Sequence, residues 1–416
     1  MPDQTTDQGI IIARNLTAYC HDEDPTRPTS LGCNKRDAVF RDIVNQVDIF
    51  GLNYFHKTYP VFKEQNPTRR YHASETSSAT SSRGEYFFPV TTDVNNSRSG
   101  FQLSSYDMTT IGWGCAPEVQ FKMNEEYPFM SGEFVWTGFD YLGEPTPYNK
   151  DLTNLLNFSD PNELEKARKE LEELGKIKTP SRSSYFGIVD LAGMKKDRFY
   201  LYQSKWSKTP VLHLLPHWNW EERLGQNVPV FCYTNYPKAE LFINGKSYGK
   251  QSKNNSSLKK SKESKYNRYR MMWQDVTYQP GEIKVVAYNH EGLPVDTAAI
   301  KTAGETYRLR TTVDRREIKA DGQDLAFVTV EIVDKEGNLC PKADNLLFFE
   351  VEGNAHLKAA CNGDPTSQTS FASSYMRTFN GKLMLIVEAG DAVGSATLKV
   401  YGGHLLPAVE KILCID

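Results

Sequence analysis

The pattern of apolar residues changes near residue 207, and this change constrains the fold more than any other feature of the sequence. Before it, short apolar runs alternate with helical segments, a pattern typical of β/α units. These runs are RPTSLGCN (27–34), DIFGLNYF (48–55), RRYHASE (69–75) and FMSGEFVWTGFDYLGE (129–144). After it, apolar and polar residues alternate between turns such as Asn244-Gly245, which indicates antiparallel β-sheets.

The length of the chain predicts more than one domain. Its 416 residues exceed what one hydrophobic core usually serves, so we expect two to three domains. The change of pattern sets the limits of a β/α domain at 1–206. The remainder is long enough for two all-β sandwiches of about immunoglobulin size, at 207–303 and 304–416.

The composition excludes several classes of partner. The net charge is -3 with 24% charged residues, so a nucleic-acid partner is not expected. No apolar stretch approaches the ~20 residues of a membrane helix, so no membrane partner is expected either. The seven cysteines form no CxxC pair, which argues against a zinc site or a disulfide framework, and no cofactor is evident. The start, MPDQTTDQG, has no signal-peptide pattern; for a full-length protein we expect a periplasmic or extracellular location.

Glu75 is the most informative single residue, because it lies where a strand ends and a Ser/Thr-rich loop begins. Three interpretations are open: a surface carboxylate, an ion-pair partner of Arg69, Arg70 or Arg83, or a nucleophile or base at the end of a barrel strand. The neighbouring arginines and hydroxyls favour the ionised carboxylate by charge and hydrogen bonding. A glycosidase nucleophile must be ionised, because it attacks the anomeric carbon as a carboxylate.

Several long motifs together resemble glycoside hydrolase family 2, in its bacterial β-galactosidase branch. They are DIFGLNYF, HASETSSATSSRGEY, FVWTGFDYLGEPTPY, YFGIVDLAGMKKDRFYLYQSKW and VLHLLPHWNW, in the order the family has them. The resemblance implies a multidomain protein that begins with the second half of a (β/α)8 TIM barrel, strands 5 to 8. Two all-β immunoglobulin-like sandwiches would follow this half-barrel.

The resemblance also implies roles for individual residues. Glu75 matches the catalytic nucleophile, Tyr54 the tyrosine that hydrogen-bonds it, and Trp136 the aromatic residue that lines the sugar subsite. Each has a structural alternative: Tyr54 could fill a layer of the barrel, and Trp136 could anchor a strand to a loop. Three polar residues near strand ends stay open between loop architecture and contact with the sugar: Asn53, Asp140 and Glu144.

The acid/base glutamate of the family lies in an Asn-Glu motif at the end of barrel strand 4. The Asn-Glu pairs of this sequence, Asn124-Glu125 and Asn162-Glu163, both follow strand 7 and do not fit that position. MPDQTTDQG looks like the segment just after the motif, so we expect the acid/base and strands 1 to 4 to be absent from this N-terminally truncated polypeptide. A retaining glycosidase needs both carboxyls, so we expect this polypeptide alone to be inactive. An open half-barrel would also favour self-association.

The activity implied by the resemblance is retaining hydrolysis of terminal β-D-galactosides, with the carbohydrate as the partner. Two alternatives remain: a non-catalytic carbohydrate-binding or scaffold role, and a related β-glucuronidase or β-mannosidase activity. Family glucuronidases recognise the substrate carboxylate through an Asn-x-Lys motif. The region of strands 7 and 8 has none, which favours a neutral sugar.

Overall fold

The computed structural model describes residues 3–148, 160–173, 181–253 and 264–416. Its helices, in chain order, are α1 Asp7–Glu23, α2 Tyr59–Gln65, α3 Pro117–Glu126, α4 Pro161–Glu173, α5 Asp197–Trp206 and α6 Ser264–Asn267. Its strands are β1 Ser30–Cys33, β2 Ile49–Asn53, β3 Arg70–Ser77, β4 Arg98–Ser99, β5 Gln102–Leu103, β6 Glu133–Trp136, β7 Leu212–Leu215, β8 Val230–Thr234, β9 Lys238–Ile243, β10 Lys246–Ser252, β11 Met271–Trp273, β12 Glu282–Tyr288, β13 Pro294–Lys301, β14 Arg308–Val313, β15 Glu317–Lys319, β16 Leu325–Val333, β17 Leu346–Gly353, β18 Ala355–Cys361, β19 Tyr375–Arg377, β20 Lys382–Ala389, β21 Gly394–Tyr401 and β22 Ala408–Ile415. Among the helices described, none has the length and apolar character needed to span a membrane.

The chain divides into two compact units. The first unit comprises Met1–Thr80 and Thr109–Gly138, and the second comprises Ser81–Met108 and Phe139–Asp416. Two segments of the predicted first domain, Ser81–Met108 and residues 139–206, thus group with the second unit. The domain limits 1–206, 207–303 and 304–416 remain predictions.

The first unit is built on a parallel sheet in the order β1-β2-β3-β6, as its four apolar runs predict. Alternate residues of the central strands pack into the core. They are Phe50 and Leu52 from β2, and Tyr71 and Ala73 from β3. This core also takes residues from α1, α2 and the intervening turns, so helices and turns cover one face of the sheet. We call the opposite face, which carries the other parity of each strand, the second face.

Two local features of the first unit follow from its backbone geometry. The opening helix is capped, because the Thr6 side chain accepts a hydrogen bond from the backbone N–H of Gly9. Between α1 and β2 the chain forms two 3₁₀ turns, Arg36–Phe40 and Asp42–Asn45. Extended backbone at Arg41 separates them, with φ -110° and ψ 157°.

The second unit is mostly antiparallel β-sheet, as the alternation after residue 207 predicts. Between β7 and β13 it has the sheets β10-β9-β12-β13 and β11-β8-β7. From β14 onwards it has the sheets β14-β16-β20-β18 and β15-β22-β21-β17-β19, which share one core. In that core Val328, Val330 and Leu385 of one sheet meet Leu398 and Ile412 of the other.

Buried ion pairs hold the irregular segments of the second unit. Arg83 Nε lies 2.6 Å from Asp190 Oδ2, and both side chains are buried. The same guanidinium donates hydrogen bonds to the carbonyls of Asn362 and Phe379, so one buried cation joins three distant segments. Because both charges are removed from water, loss of either partner would leave an unpaired buried charge and destabilise the fold.

Candidate active site

The strand register brings all four predicted site residues to the carboxyl ends of three neighbouring strands. Asn53, at the end of β2, pairs with Glu75 of β3, and Ser77 of β3 pairs with Trp136 at the end of β6. Tyr54 follows directly, and its backbone N–H donates a hydrogen bond of 2.8 Å to the carbonyl of Glu75. The carboxyl end of a parallel sheet is where barrel enzymes hold their reactive groups.

A bulge in β3 lies just before Glu75. On the β2 side the register passes from Gly51 opposite His72 to Asn53 opposite Glu75, so β3 has one residue more than its neighbour. On the β6 side it passes from Ala73 opposite Glu133 to Thr76 opposite Val135, with the same extra residue. An extra residue reverses the alternation of side chains beyond it.

The bulge decides which face of the sheet Glu75 occupies. By simple alternation Glu75 would share the parity of Tyr71 and Ala73, which are fully buried in the core. Beyond the bulge it is Thr76 that lies on the helix-covered side, where its hydroxyl bonds Glu133 at 2.7 Å. Glu75 therefore projects from the second face, beside Ser74, and stays half-buried.

A chain of hydrogen bonds behind the sheet fixes this arrangement. Tyr59 Oη donates to Gln120 Oε1 at 3.2 Å, and Gln120 Nε2 donates to Asn124 Oδ1 at 2.8 Å. Asn124 Nδ2 then donates to Glu133 Oε1 at 3.0 Å, leaving Glu133 Oε2 for Thr76. Glu133 therefore has a structural role, because its carboxylate links α3 to the bulged strand.

Asn53 contributes to the second face rather than to the core. It is buried, and its Oδ1 accepts a hydrogen bond of 2.5 Å from Ser74 Oγ. Close packing here requires glycine at position 51, since a Cβ would lie 2.2 Å from the Leu31 carbonyl oxygen and 2.6 Å from Ser74 Oγ.

Tyr54 and the residues that follow Glu75 have strained backbones. Tyr54, Ser77 and Ser78 have φ of 64°, 66° and 49°, in the left-handed region that side chains of this kind rarely adopt. The Tyr54 hydroxyl accepts a hydrogen bond of 2.9 Å from Ser78 Oγ. No hydrogen bond is seen between this hydroxyl and the Glu75 carboxylate, so the role that the resemblance implies for Tyr54 stays a prediction. Strain of this kind concentrates at functional sites, where surrounding contacts maintain it.

Among the described residues of the first unit, none forms a hydrogen bond or ion pair with the Glu75 carboxylate. Two of the arginines expected as partners are engaged elsewhere: Arg69 donates to the carbonyls of Val44 and Val47, and Arg83 pairs with Asp190. A half-buried, unpaired carboxylate is costly as a structural element, so the ion-pair interpretation loses its support.

Aromatic rings lie on β3, the strand that carries Glu75, and on the neighbouring β6. Trp136 is half-buried, while Phe134 is 65% exposed and meets the His72 ring edge-on at 5.5 Å. Burial lowers the pKa of His72, which favours its neutral form. Rings beside a few polar groups are the usual lining of small-molecule sites.

The two other candidates lie in the second unit. Asp140 is buried with Lys196 Nζ at 2.5 Å, and burial raises the pKa of its carboxyl to about 6. Its bond to the backbone N–H of Gly187 commits it to loop architecture. Glu144 is exposed and accepts a hydrogen bond from the Tyr141 hydroxyl.

Family models match the chain in two places. Residues 309–409 match glycoside hydrolase family 2 C-terminal domain 5, and residues 225–296 match a domain of unknown function. The chain is 37% identical to a β-galactosidase of Bacteroides ovatus over 97% of its own length and 43% of that protein. It is 26% identical to a putative β-glucuronidase of Formosa agariphila, over 91% of this chain and 35% of that one.

A solved structure confirms the similarity in three dimensions. A glycosyl hydrolase family 2 member from Bacteroides cellulosilyticus matches 100% of this chain and 48% of its own, with a TM-score of 0.75 and 26% identity. The chain thus spans less than half the length of the relatives it matches. These agreements in sequence, domain models and β-rich structure lead to one conclusion: the chain belongs to glycoside hydrolase family 2.

Proposed function

We propose that this chain carries the nucleophile of a retaining β-galactosidase, and that the nucleophile is Glu75. The observation that carries the proposal is the bulge in β3. Because of the bulge, the Glu75 carboxylate projects from the second face of the sheet and not into the core. Its neighbours there are Asn53 and Ser74, with Trp136 at the end of the adjacent strand. A structural carboxylate would need none of this arrangement.

The fold supports the same proposal. The parallel order β1-β2-β3-β6, with helices on one face, is the order that strands 5 to 8 of a (β/α)8 barrel would have. The two pairs of sheets in the second unit would be the immunoglobulin-like sandwiches, and the matched domain models fall one on each.

The reaction would begin when a Glu75 oxygen attacks the anomeric carbon. The bond from that carbon to the leaving oxygen breaks, the leaving oxygen takes a proton from an acid, and a galactosyl ester of Glu75 forms. Water then attacks the same carbon and releases the carboxylate. No residue of the chain matches the acid, so this polypeptide by itself would not hydrolyse an ordinary galactoside. Loss of the acid typically costs ~10²–10⁴-fold in rate.

The proposed substrate is a terminal β-galactoside. The relative with the higher identity is named a β-galactosidase, and the region of strands 7 and 8 has no Asn-x-Lys motif for a substrate carboxylate. A β-glucuronide is the second candidate, because other relatives are named β-glucuronidases. A purely carbohydrate-binding role is the third.

Azide provides the test, since it attacks a glycosyl ester without acid or base assistance. Dinitrophenyl β-galactoside needs no acid either, because its leaving group departs as a stable anion. We expect this chain to convert dinitrophenyl β-galactoside and azide into β-galactosyl azide. Glu75→Gln should form no azide product, and the exposed Glu64→Gln should form it at the rate of the wild type. The same assay with dinitrophenyl β-glucuronide tests the second candidate, and azide product from that substrate alone would establish it. Sugar binding without any azide product would establish the third.

A further inference from the structure

The second unit contains a cavity of about 410 Å³. Its walls come from α5, β7 and the residues after it, the end of β13, and the segments before and at the start of β20. A volume of this order lies within the ~300–1,000 Å³ of small-molecule sites. The catalytic proposal does not use any of these residues.

Cationic side chains outnumber carboxylates in the described lining of the cavity. Arg83, Lys195, Lys301 and Lys382 line it, against Asp197. Two of the cations are already neutralised, because Arg83 Nε lies 2.6 Å from a carboxylate oxygen of Asp190 and Lys382 Nζ lies 2.7 Å from one of Glu331. The positive charge that remains belongs to Lys195 and Lys301.

Neither of these two lysines has a close anionic partner. Lys195 is exposed, its ammonium lies 4.5 Å from the centre of the Phe199 ring, and within the described residues it forms no ion pair. The Lys301 ammonium lies 4.0 Å from Glu282, at the outer limit of an ion pair. Both charges are therefore available to an anion in the cavity.

Both oxygens of the Asp197 carboxylate are hydrogen-bonded. One oxygen accepts a hydrogen bond of 2.6 Å from the Tyr86 hydroxyl, and the other bonds His213 Nε2 at 2.6 Å. The Tyr200 ring stacks on His213 with centroids 3.8 Å apart, so this wall is both rigid and aromatic. These two bonds hold the Asp197 carboxylate against Tyr86 and His213 in the wall of the cavity.

His217 supplies a neutral donor. Its Nδ1 accepts a hydrogen bond of 3.3 Å from the backbone N–H of Asn219, so the ring proton belongs on Nε2. Burial lowers the pKa of this imidazole to about 3, with a smaller effect from Lys342, so the ring stays neutral at physiological pH. Stacking on Trp220 at 4.3 Å holds its orientation. Nε2–H has no hydrogen-bond partner among the described residues.

We propose that this cavity binds an acidic monosaccharide or disaccharide, with its carboxylate at Lys195 and Lys301 and a hydroxyl oxygen at His217 Nε2–H. An acidic ligand is inferred from the Lys195 ammonium, which has no ion-pair partner among the described residues, and from the Lys301 ammonium, whose anionic partner Glu282 lies 4.0 Å away. The size of the ligand is inferred from the volume of the cavity. A sugar is inferred from the neutral N–H donor of His217 beside aromatic walls, in a chain that belongs to a glycoside hydrolase family. The proposal does not depend on the role of Glu75.

Isothermal titration with D-galacturonate, D-glucuronate, D-galactose and sodium sulfate tests the proposal. We expect a uronate to bind at least fivefold more tightly than galactose or sulfate. The double variant Lys195→Ala/Lys301→Ala should weaken the uronate about fivefold or more, as the loss of two exposed charge contacts predicts. Lys411→Ala, which removes an exposed lysine away from the cavity, should leave binding unchanged.

The site of binding is checked with two further variants. Glu75→Gln should retain uronate binding, whereas His217→Phe should weaken binding of the sugar acid more than that of sulfate. Binding that is lost with Glu75→Gln, or a double-lysine variant that binds as well as the wild type, would overturn the proposal. Sulfate that binds as tightly as the uronates would reduce the cavity to a simple anion site, and no binding of any uronate would also refute it.

Discussion

Thr76 Oγ1 donates a hydrogen bond of 2.7 Å to Glu133 Oε2, and this bond holds β3 in its bulged register beside Glu75. Thr76→Val keeps the shape of the side chain but removes this hydrogen bond to the half-buried Glu133 carboxylate. A hydrogen bond to a charged group contributes ~1.5–3 kcal/mol to the free energy of unfolding. We expect destabilisation of that size together with a fall of tenfold or more in galactosyl azide formation, because Glu75 loses its position.

Thr76→Ser provides the matched control, because it retains the donor and loses only a methyl group. Its rate of azide product formation should lie within about twofold of the wild type. Equal rates for Thr76→Val and Thr76→Ser, with both proteins folded by circular dichroism, would show that the hydrogen bond does not position Glu75.

Gly51 is the second position on which the site depends. An alanine Cβ there would lie 2.2 Å from the Leu31 carbonyl oxygen, which is backbone and cannot swing away. We expect Gly51→Ala to lower the free energy of unfolding by ~1–3 kcal/mol, the usual range for overpacking. Gly112→Ala in the same unit has open space around its Cβ and should change stability far less. Urea unfolding of the two variants measures the difference, and equal midpoints would contradict the close approach.

Much of this site could be predicted from the sequence, but not its geometry. The runs DIFGLNYF and RRYHASE predicted β2 and β3, and parallel pairing then brought Asn53, Tyr54 and Glu75 to one edge. The bulge could not be read from periodicity, which assumes strict alternation. One signal was present: a glutamate with the same parity as buried Tyr71 and Ala73 requires either a buried charge or a shifted register. The hydrogen bonds that link Tyr59, Gln120 and Asn124 depend on tertiary packing, which the local sequence pattern does not encode.

The Arg83–Asp190 pair gives a stability prediction for the second unit. Asp190→Ala leaves a buried guanidinium without its counter-charge, and breaking such a pair typically costs ~3–5 kcal/mol. Asp344→Ala removes an exposed partner 4.0 Å from Arg377 and should cost less than ~1 kcal/mol. Thermal unfolding compares the two, and similar losses would mean that water relieves the Arg83 charge.

The buried imidazole of His217 predicts a pH dependence. Its pKa is lowered from 6.5 to about 3, first by burial, so the folded state favours the neutral ring. Its stabilising effect is therefore complete above pH 6.5 and is lost as the pH falls towards 3. The difference in urea midpoint between the wild type and His217→Gln should shrink or reverse between pH 7 and pH 4. A difference that stays constant across this range would contradict the buried neutral histidine.

The most direct test of the account is the identity of the residue that becomes glycosylated. A dinitrophenyl β-galactoside with fluorine in place of the hydroxyl beside the anomeric carbon forms a long-lived ester with a retaining nucleophile. After incubation with this chain and proteolysis, mass spectrometry should locate a single fluorosugar on Glu75, and Glu75→Gln should remain unlabelled. A label on another carboxylate, or equal labelling of Glu75→Gln, would show that Glu75 is not the nucleophile.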